Sequence, residues 1–407
     1  MVLKSEIEAA YNRQQLVLLQ KTNFVPRQFQ IKIQPKSKHI EVVSGIRRCG
    51  KSTLLRQVMK TYKKDIAYFN FEDPRVYDFD VSDFEKLDEI MGNKVAAYFF
   101  DEIQNVKAWE IFVRQLHDRG AKIFITGSNA SLLSKELGTR LTGRHLRHEL
   151  FPFSYTEYLV YKKIKNTNTA FENYIEHGGF PEYLRDLNIE VLQMLLKDIV
   201  LRDISIRYSI KNTKALMDLT LYLLSNIGTE CTYNSLRKKF EIGSTNSVSD
   251  YLSWLEDAYL LYFLPKFSYK AKNIVVNPRK VYAVDNGLIN ANTLSFSKNK
   301  GRLLENAVYL FLRQLPYQLF FYRENKECDF VVFDKDKCKM LIQVCEEIHS
   351  DNKDRELAGL NETMNFFKLK EGYIVTKKQN DVIKTDGKVI RLIQATDFFN
   401  LDAWNRN

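Results

Sequence analysis

The sequence predicts an α/β chain of three parts: an αβα domain on a parallel sheet over 1–160, a helical middle over 161–284, and a second α/β domain over 285–407. Three observations carry that reading. Two apolar runs without polar alternation, each ending in polar residues, mark strands buried on both faces. A long stretch of helix-spaced leucines follows them, and the last third then alternates helices with short strands. A chain of 407 residues exceeds one ordinary core, and its 45% apolar share is enough to fill more than one. The start, "MVLKSEIEAAYNRQQ", is charged and amphipathic, and runs such as "VAAYFF" and "LLYFL" fall well short of the ~18 residues a membrane span requires. No targeting or membrane segment is therefore expected. Cys49, Cys231, Cys328, Cys338 and Cys345 form an odd set without C-x-x-C, which reads as reduced thiols in a cytoplasm. The net charge of +11 suits a polyanionic partner, although charge spread over so large a surface also serves solubility.

The first element to justify is "HIEVVSGIRRCGKSTLLRQVMKTY". A short strand, Ile40 to Ser44, runs into Gly45-Ile46-Arg47-Arg48-Cys49-Gly50-Lys51-Ser52-Thr53 and then a helix with Leu54, Leu55 and Val58 at core spacing. Glycines at both ends of such a loop let successive backbone N–H groups turn inward onto phosphate oxygens, with the helix N-terminus reinforcing them. Lys51 then reaches the β and γ phosphates of ATP, and the Ser52 hydroxyl ligates Mg²⁺. A plain glycine-rich turn would leave Lys51 and Ser52 unexplained.

In "KVAAYFFDEIQN" the apolar run Val95 to Phe100 leads directly to Asp101 and Glu102. The carboxyl end of a parallel strand is where ligands sit, so Asp101 suits a second Mg²⁺ contact and Glu102 a general base for the attacking water. The bland alternative is a pair of acids opening a helix for the sake of its dipole. Next, "AKIFITGSNASLL" reads as another buried strand ending in Thr126-Gly127-Ser128-Asn129. Ser128 and Asn129 are each candidates for sensing the γ-phosphate or the water, and each is equally a candidate N-cap for the helix that follows.

These pieces, in this order, resemble the AAA+ branch of P-loop ATPases. The match tightens in Leu141-Thr142-Gly143-Arg144 and Pro152-Phe153-Ser154-Tyr155-Thr156-Glu157, and in "YFNFEDPR" at 68–75, "GGFPEYL" at 178–184 and "DIVLRDI" at 198–204. Those segments resemble a prokaryotic AAA+-type ATPase family with a winged-helix middle and a C-terminal restriction-endonuclease-like domain of unknown function. The resemblance implies an arginine finger on the γ-phosphate, carried to Arg144 first and Arg140 second, or else surface pairing for both. Asp73 and Arg75 receive no role.

In the middle, "KALMDLTLYLLSNIG", "TYNSLRKKFEIG" and "STNSVSDYLSWLEDAYLLYFLP" read as three helices, with a tight Ile242-Gly243 turn before the third, as a helix-turn-helix requires. "AYLLYFLPKF" and "RKVYAVD" read as wing strands. DNA would then meet Ser244, Thr245, Asn246 and Ser247. Residues 266–280 add Lys266, Lys270, Lys272, Arg279 and Lys280 without an acid, interleaved with Phe267 and Tyr269, which fits a wing tracking phosphates. The alternative is a winged helix that only packs between neighbours. An oligomer is compatible with either.

The last third runs helix ("GRLLENAVYLFLRQL"), strand ("LFFYRE"), hairpin ("ECDFVVFDKDKCKMLIQVCEE"), helix and strands, the order of a restriction-endonuclease-like fold. Active members hold a divalent metal between a helix Glu, a strand Asp and a second-strand Glu, with a Lys two residues on. Glu305 and Asp329 match the first two, whereas Gln343 and Cys345 stand where Glu and Lys should be. A neutral carbonyl weakens Mg²⁺ binding, and a thiol supplies no positive charge at pH 7. The expectation is a degenerate nuclease site beside a working Mg²⁺-dependent ATPase that drives a conformational change. The rival readings are a nucleotide-switched DNA-binding protein with negligible turnover and an ATP-regulated nuclease.

Overall fold

The computed structural model describes residues 1–18, 25–27, 37–62, 65–92, 95–129, 143–293, 300–385 and 387–400. They form two compact units, Met1–Phe151 with Asp257–Tyr259, and Pro152–Glu256 with Leu260–Asn407.

Unit one is built from α1 (Lys4–Leu18), β1 (Ile40–Ser44), α2 (Lys51–Met59), β2 (Ile66–Asn70), α3 (Asp83–Met91), β3 (Ala97–Asp101), α4 (Trp109–Asp118), β4 (Lys122–Gly127) and β5 (His145–Glu149). The five strands are all parallel in the order β2-β3-β4-β1-β5. All five carboxyl ends therefore lie at one edge of the sheet, and the loops after β1, β3 and β4 share it. The unbroken apolar runs are explained by two covered faces. Phe99 stacks on Phe124 at 4.6 Å and packs with Leu55, Val58 and Met59 of α2. Their strand neighbours Phe100 and Ile125 turn to the other face, into a core with Phe84 of α3, Phe112 of α4 and Ile7 of α1. Each fully buried phenyl ring contributes about 1.5–3 kcal/mol, so the sheet edge is held by its centre rather than by its loops.

Unit two opens with helices α5 (Tyr155–Lys162), α6 (Asn168–His177), α7 (Pro181–Asp186) and α8 (Ile189–Asp198), the last widening into π-helical turns over Ile199–Ile206. The Ser154/Glu157 pair of the Pro-x-Ser-x-x-Glu segment is a capping box: Glu157 N–H donates to Ser154 Oγ at 3.3 Å, and Ser154 N–H to Glu157 Oε2 at 3.0 Å. Next come α9 (Thr213–Ser225), β6 (Glu230–Cys231), α10 (Tyr233–Lys239), α11 (Thr245–Asp257), β7 (Leu261–Pro265), α12 (Ala271–Val276) and β8 (Arg279–Ala283). β7 and β6 flank β8 in an antiparallel three-stranded sheet.

The remainder is α13 (Asn286–Asn292), α14 (Lys300–Arg313), β9 (Gln318–Arg323), β10 (Glu327–Asp334), β11 (Lys337–Val344), α15 (Ser350–Phe367), β12 (Glu371–Thr376), β13 (Asp381–Thr385), β14 (Lys388–Gln394) and α16 (Ala395–Phe398). Their six-stranded sheet has the order β13-β14-β12-β11-β10-β9, with an antiparallel meander β9-β10-β11, then β12 and β14 parallel to β11. The division expected at residue 284 is absent from this arrangement. Asn306 of α14 accepts from Ala283 N–H at 2.8 Å and donates to Ala283 O at 3.0 Å, Asn286 donates to Leu303 O, and Phe267 N–H donates to Phe321 O. These bonds fasten β7 and β8 onto α14 and β9, so the middle and the last third fold as one body. The first unit closes at Phe151, ahead of the expected 160. Among the described residues no helix is long and apolar enough to cross a membrane. All five cysteines are free thiols.

Candidate functional site

The loop 45–50 leaves β1 at the carboxyl edge and turns into α2, and its glycines are required by space. A Cβ at Gly45 would lie 2.1 Å from the Leu150 carbonyl oxygen, and Gly50 caps α2 at φ +105°, a conformation that L side chains avoid. Lys51, buried, sits at the first position of α2. Its ammonium donates to the Gly45 and Ile46 carbonyls at 3.2 and 3.3 Å and lies 3.3 Å from Glu102 Oε1. Arg47 reaches out of the loop to Glu72 at 3.1 Å. Cys49 is fully buried, and Arg27 donates to its carbonyl at 3.0 Å, bracing the loop from outside.

The two acids after Phe100 take opposite environments. Asp101 is fully buried at the end of β3. It accepts from the Tyr68 hydroxyl at 3.0 Å, from the Thr126 hydroxyl, and from Ser52. Burial raises its carboxyl above the usual range, with Glu102 adding to the rise, and the three hydroxyls act in the opposite sense. Glu102 adopts a left-handed backbone at φ 52°, which turns its side chain out of the strand line toward Lys51 and Gln104. Burial is the largest single influence and opposes its charge, but Lys51, Gln104 and Arg47 together outweigh it and hold the carboxyl below its ordinary value. Lys51 in turn stays above its ordinary value, because Glu102, Cys49 and Asp101 outweigh its desolvation. Glu102 is thus a carboxylate held in its ionised form 3.3 Å from the Lys51 ammonium.

Ser128 and Asn129 follow β4 at the same edge, both buried, and the structure does not choose between them. Thr126, which sequence reasoning passed over, joins the parts: its hydroxyl donates to Asp101 and accepts from Glu102 N–H at 3.1 Å. Its only sequence signal is its place at the end of a buried strand.

Arg144 does not reach this cluster. It precedes β5, and its carbonyl accepts from Ile40 N–H, so it lies at the amino edge of the parallel sheet, ~16 Å of strand away from the loop. Its guanidinium is 2.6 Å from Asp118 Oδ1 and the side chain is 40% exposed. Arg140 lies outside the described residues, as do Leu141 and Thr142. Asp73 and Arg75 acquire a structural role: Asp73 caps the turn after β2, pairs with Arg75 and accepts from Gln14 of α1 at 3.1 Å.

In unit two, Ser244 accepts from Ser247 N–H at 3.0 Å as the N-cap of α11, with Asn246 exposed beside them. The basic stretch 266–280 divides. Tyr269 is 76% exposed, but Phe267 is partly buried, its ring stacked on Phe333 at 5.1 Å and packed against Phe320 and Phe367. Lys280 is likewise withdrawn. At 1% exposure it points inward, with Nζ 3.1 Å from Glu305 Oε1, 2.7 Å from Glu327 Oε1 and 2.9 Å from Asp329 Oδ1. The expected pair Glu305 and Asp329 is therefore brought together, around an ammonium. Gln343 accepts from Asp329 N–H at 3.3 Å and donates to Glu356 at 3.4 Å. Cys345 donates to the Glu347 carbonyl, and burial, with Glu356 adding, pushes its thiol up to about 11. Among the described residues no group of three or more His, Cys, Asp or Glu is disposed to hold a metal ion.

Comparison with known proteins places this geometry. Residues 37–159 match a family described as an AAA domain, and residues 168–299 match a domain of unknown function, DUF8612. The uncharacterized protein MJ1544 of Methanocaldococcus jannaschii is 38% identical over 381 residues, covering 87% of this chain and 85% of its own. An uncharacterized protein of Haemophilus influenzae is 30% identical over 408 residues, covering 94% of this chain and 98% of its own. The crystal structure of Cdc6p from Pyrobaculum aerophilum superposes over 71% of this chain and 97% of that one with a TM-score of 0.25 and 11% identity, a likeness that carries no argument.

Proposed function

Because the chain belongs to the family of these archaeal and bacterial proteins and carries an AAA domain of P-loop type, we propose that it binds and hydrolyses ATP with Mg²⁺ in unit one. The observation that carries the reading is the convergence of Lys51, Ser52, Asp101, Glu102 and Thr126 at one sheet edge. Ser52 and Asp101 offer hard oxygen donors already aimed at each other, which suits Mg²⁺ and would hold it. When bound, the metal supplies charge neutralisation at the β and γ oxygens. The chain does the rest. Loop N–H groups orient the phosphates, Lys51 exchanges its loop carbonyls and Glu102 for phosphate oxygens, and Glu102, released from that pair, accepts a proton from the attacking water. Ser128 or Asn129 stands near enough along the chain to sense that water.

Three features support a nucleic-acid partner for unit two: the helix-turn-helix order α10-α11, the antiparallel β7-β8 pair behind it, and the exposed polar start of α11. This winged helix would carry a nucleotide-driven change to DNA through Ser244 to Ser247 and the exposed lysines of 266–280. The α14-β9-β10-β11-α15-β12 order supports a nuclease-like fold whose chemistry is lost at Gln343 and Cys345. The test is ATP turnover of the full chain with and without duplex DNA, single-stranded DNA and RNA. Glu102→Gln should lower kcat about 10²–10⁴-fold while ATP still binds. A variant hydrolysing at the wild-type rate removes Glu102 as base and this reading with it.

A further inference from the structure

The second acidic centre is filled by the chain itself. Glu305 comes from α14, Glu327 and Asp329 from one face of β10, and Lys280 from β8, each on a regular element that packing holds in place. An ammonium has three donors and no acceptor, and here it meets three carboxylates at 2.7, 2.9 and 3.1 Å. Nothing of its donor capacity is left for a substrate. Tyr282, two residues on and so on the same face of β8, donates to Glu305 at 2.7 Å. Arg323 pairs with Glu230 at 3.0 Å and approaches the second oxygen of Glu327 at 4.0 Å. Desolvation works against the Lys280 charge, but Asp329, Tyr282, Glu305 and Glu327 together hold its pKa well above the ordinary lysine value.

We infer that Lys280 is the resident cation of a carboxylate cage, occupying the position a divalent metal would need. The second unit therefore works without a metal, and Glu305, Glu327 and Asp329 accept one only when the ammonium is withdrawn. The cage joins β8 of the three-stranded sheet to β10 and α14. It is a charge lock between those elements. Lys280 does not replace the missing catalytic lysine, because its burial and its three partners keep it from any phosphate. The inference stands apart from ATP hydrolysis and uses no nucleotide.

The experiment is thermal unfolding of the full chain, nucleotide-free, with and without millimolar Mn²⁺, for the wild type, Lys280→Ala, Lys280→Ser and Lys280→Ala/Asp329→Asn. Binding to the folded state alone raises Tm, so Mn²⁺ reports on an opened cage. The wild type should shift only as far as the Ser52 and Asp101 pair of unit one allows, a shift that all four proteins share. Both single variants should melt several degrees lower without metal and recover most of that loss in Mn²⁺, whereas the double variant should not recover. A Mn²⁺ shift in the wild type equal to that of Lys280→Ala overturns the inference, as does a double variant that recovers fully. If both single variants are unfolded without metal, refolding in Mn²⁺ supports the cage and failure to refold overturns it.

Discussion

Thr126→Val is the sharpest probe of the nucleotide site, because it alters no charge, nearly keeps the side-chain shape, and acts only through the bonds that Thr126 makes to Asp101 and Glu102. The Thr126 side chain is fully buried, and its hydroxyl serves two partners, donating to Asp101 and accepting from Glu102 N–H at 3.1 Å. Valine keeps the shape and deletes both bonds. Glu102 N–H then has no acceptor in a site largely closed to water, a loss of about 1–3 kcal/mol. Asp101 loses one charge-assisted bond and retains Tyr68 at 3.0 Å and Ser52. Together these place the loss of stability at about 2–4 kcal/mol, read by urea unfolding of the full chain. The functional cost follows from orientation: residues that aim a metal ligand are worth about 10–100-fold in activity, so ATP turnover should fall by that range. Thr126→Ser keeps the hydroxyl and should restore most of both. If Thr126→Val lies within about 0.5 kcal/mol of wild type, the surface-substitution range, with turnover within about twofold, the bridging role is wrong.

Two further predictions concern residues the fold moves away from, or into, a chemical role. Arg144→Ala should leave turnover within about twofold in dilute, monomeric protein, because ~16 Å of strand separates it from the loop; a 10³-fold loss, the arginine-finger scale, would mean that a second copy brings its Arg144 to the site. Asp285 accepts from Gly179 N–H at 2.6 Å and Leu288 N–H at 3.0 Å, yet burial outweighs these bonds and raises its carboxyl to about 7. A carboxyl raised on folding favours the protonated folded chain, so its stabilisation is complete below about pH 4 and is lost as pH rises through about 7. Asp285→Asn, which cannot ionise, should flatten the fall in stability between those values in pH-dependent unfolding. Parallel curves for variant and wild type would remove Asp285 from that window.

What the sequence disclosed was local. The loop 45–53 and the pair Asp101-Glu102 are contiguous and follow buried runs, so strand ends alone placed them at one edge. Thr126 escaped because a threonine ending a strand is ordinary unless the Asp101 carboxylate is known to lie across from it. Arg144 was expected either as a finger or as a surface pairing residue, and topology puts it with the second, beside Asp118. It stands before β5, and in an all-parallel sheet the residue before a strand lies at the edge away from ligands. Lys280 reads from sequence as one of five basic residues on a phosphate-tracking wing, because the run 266–280 holds no acid. Its alternation with Tyr282 put both on one face of β8, but only the packing of α14 and β10 against that face makes it buried.

The two buried lysines show why one site is open to chemistry and the other is closed, although both rest among carboxylates. Lys51 is held by one carboxylate at 3.3 Å and by two neutral carbonyls at 3.2 and 3.3 Å, partners that a phosphate oxygen can replace with a stronger charge-assisted bond. Lys280 is held by three carboxylates at 2.7 to 3.1 Å. Any anion entering there would meet the Glu327 and Asp329 carboxylates and a Glu305 carboxyl that burial raises to about 7, and could recruit the ammonium only by stranding them, which costs about 3–5 kcal/mol when a buried pair is broken. A lysine among acids therefore has exchangeable partners in one unit and locked ones in the other. The deciding quantity is how many of its three donors a substrate can take without stranding a charge.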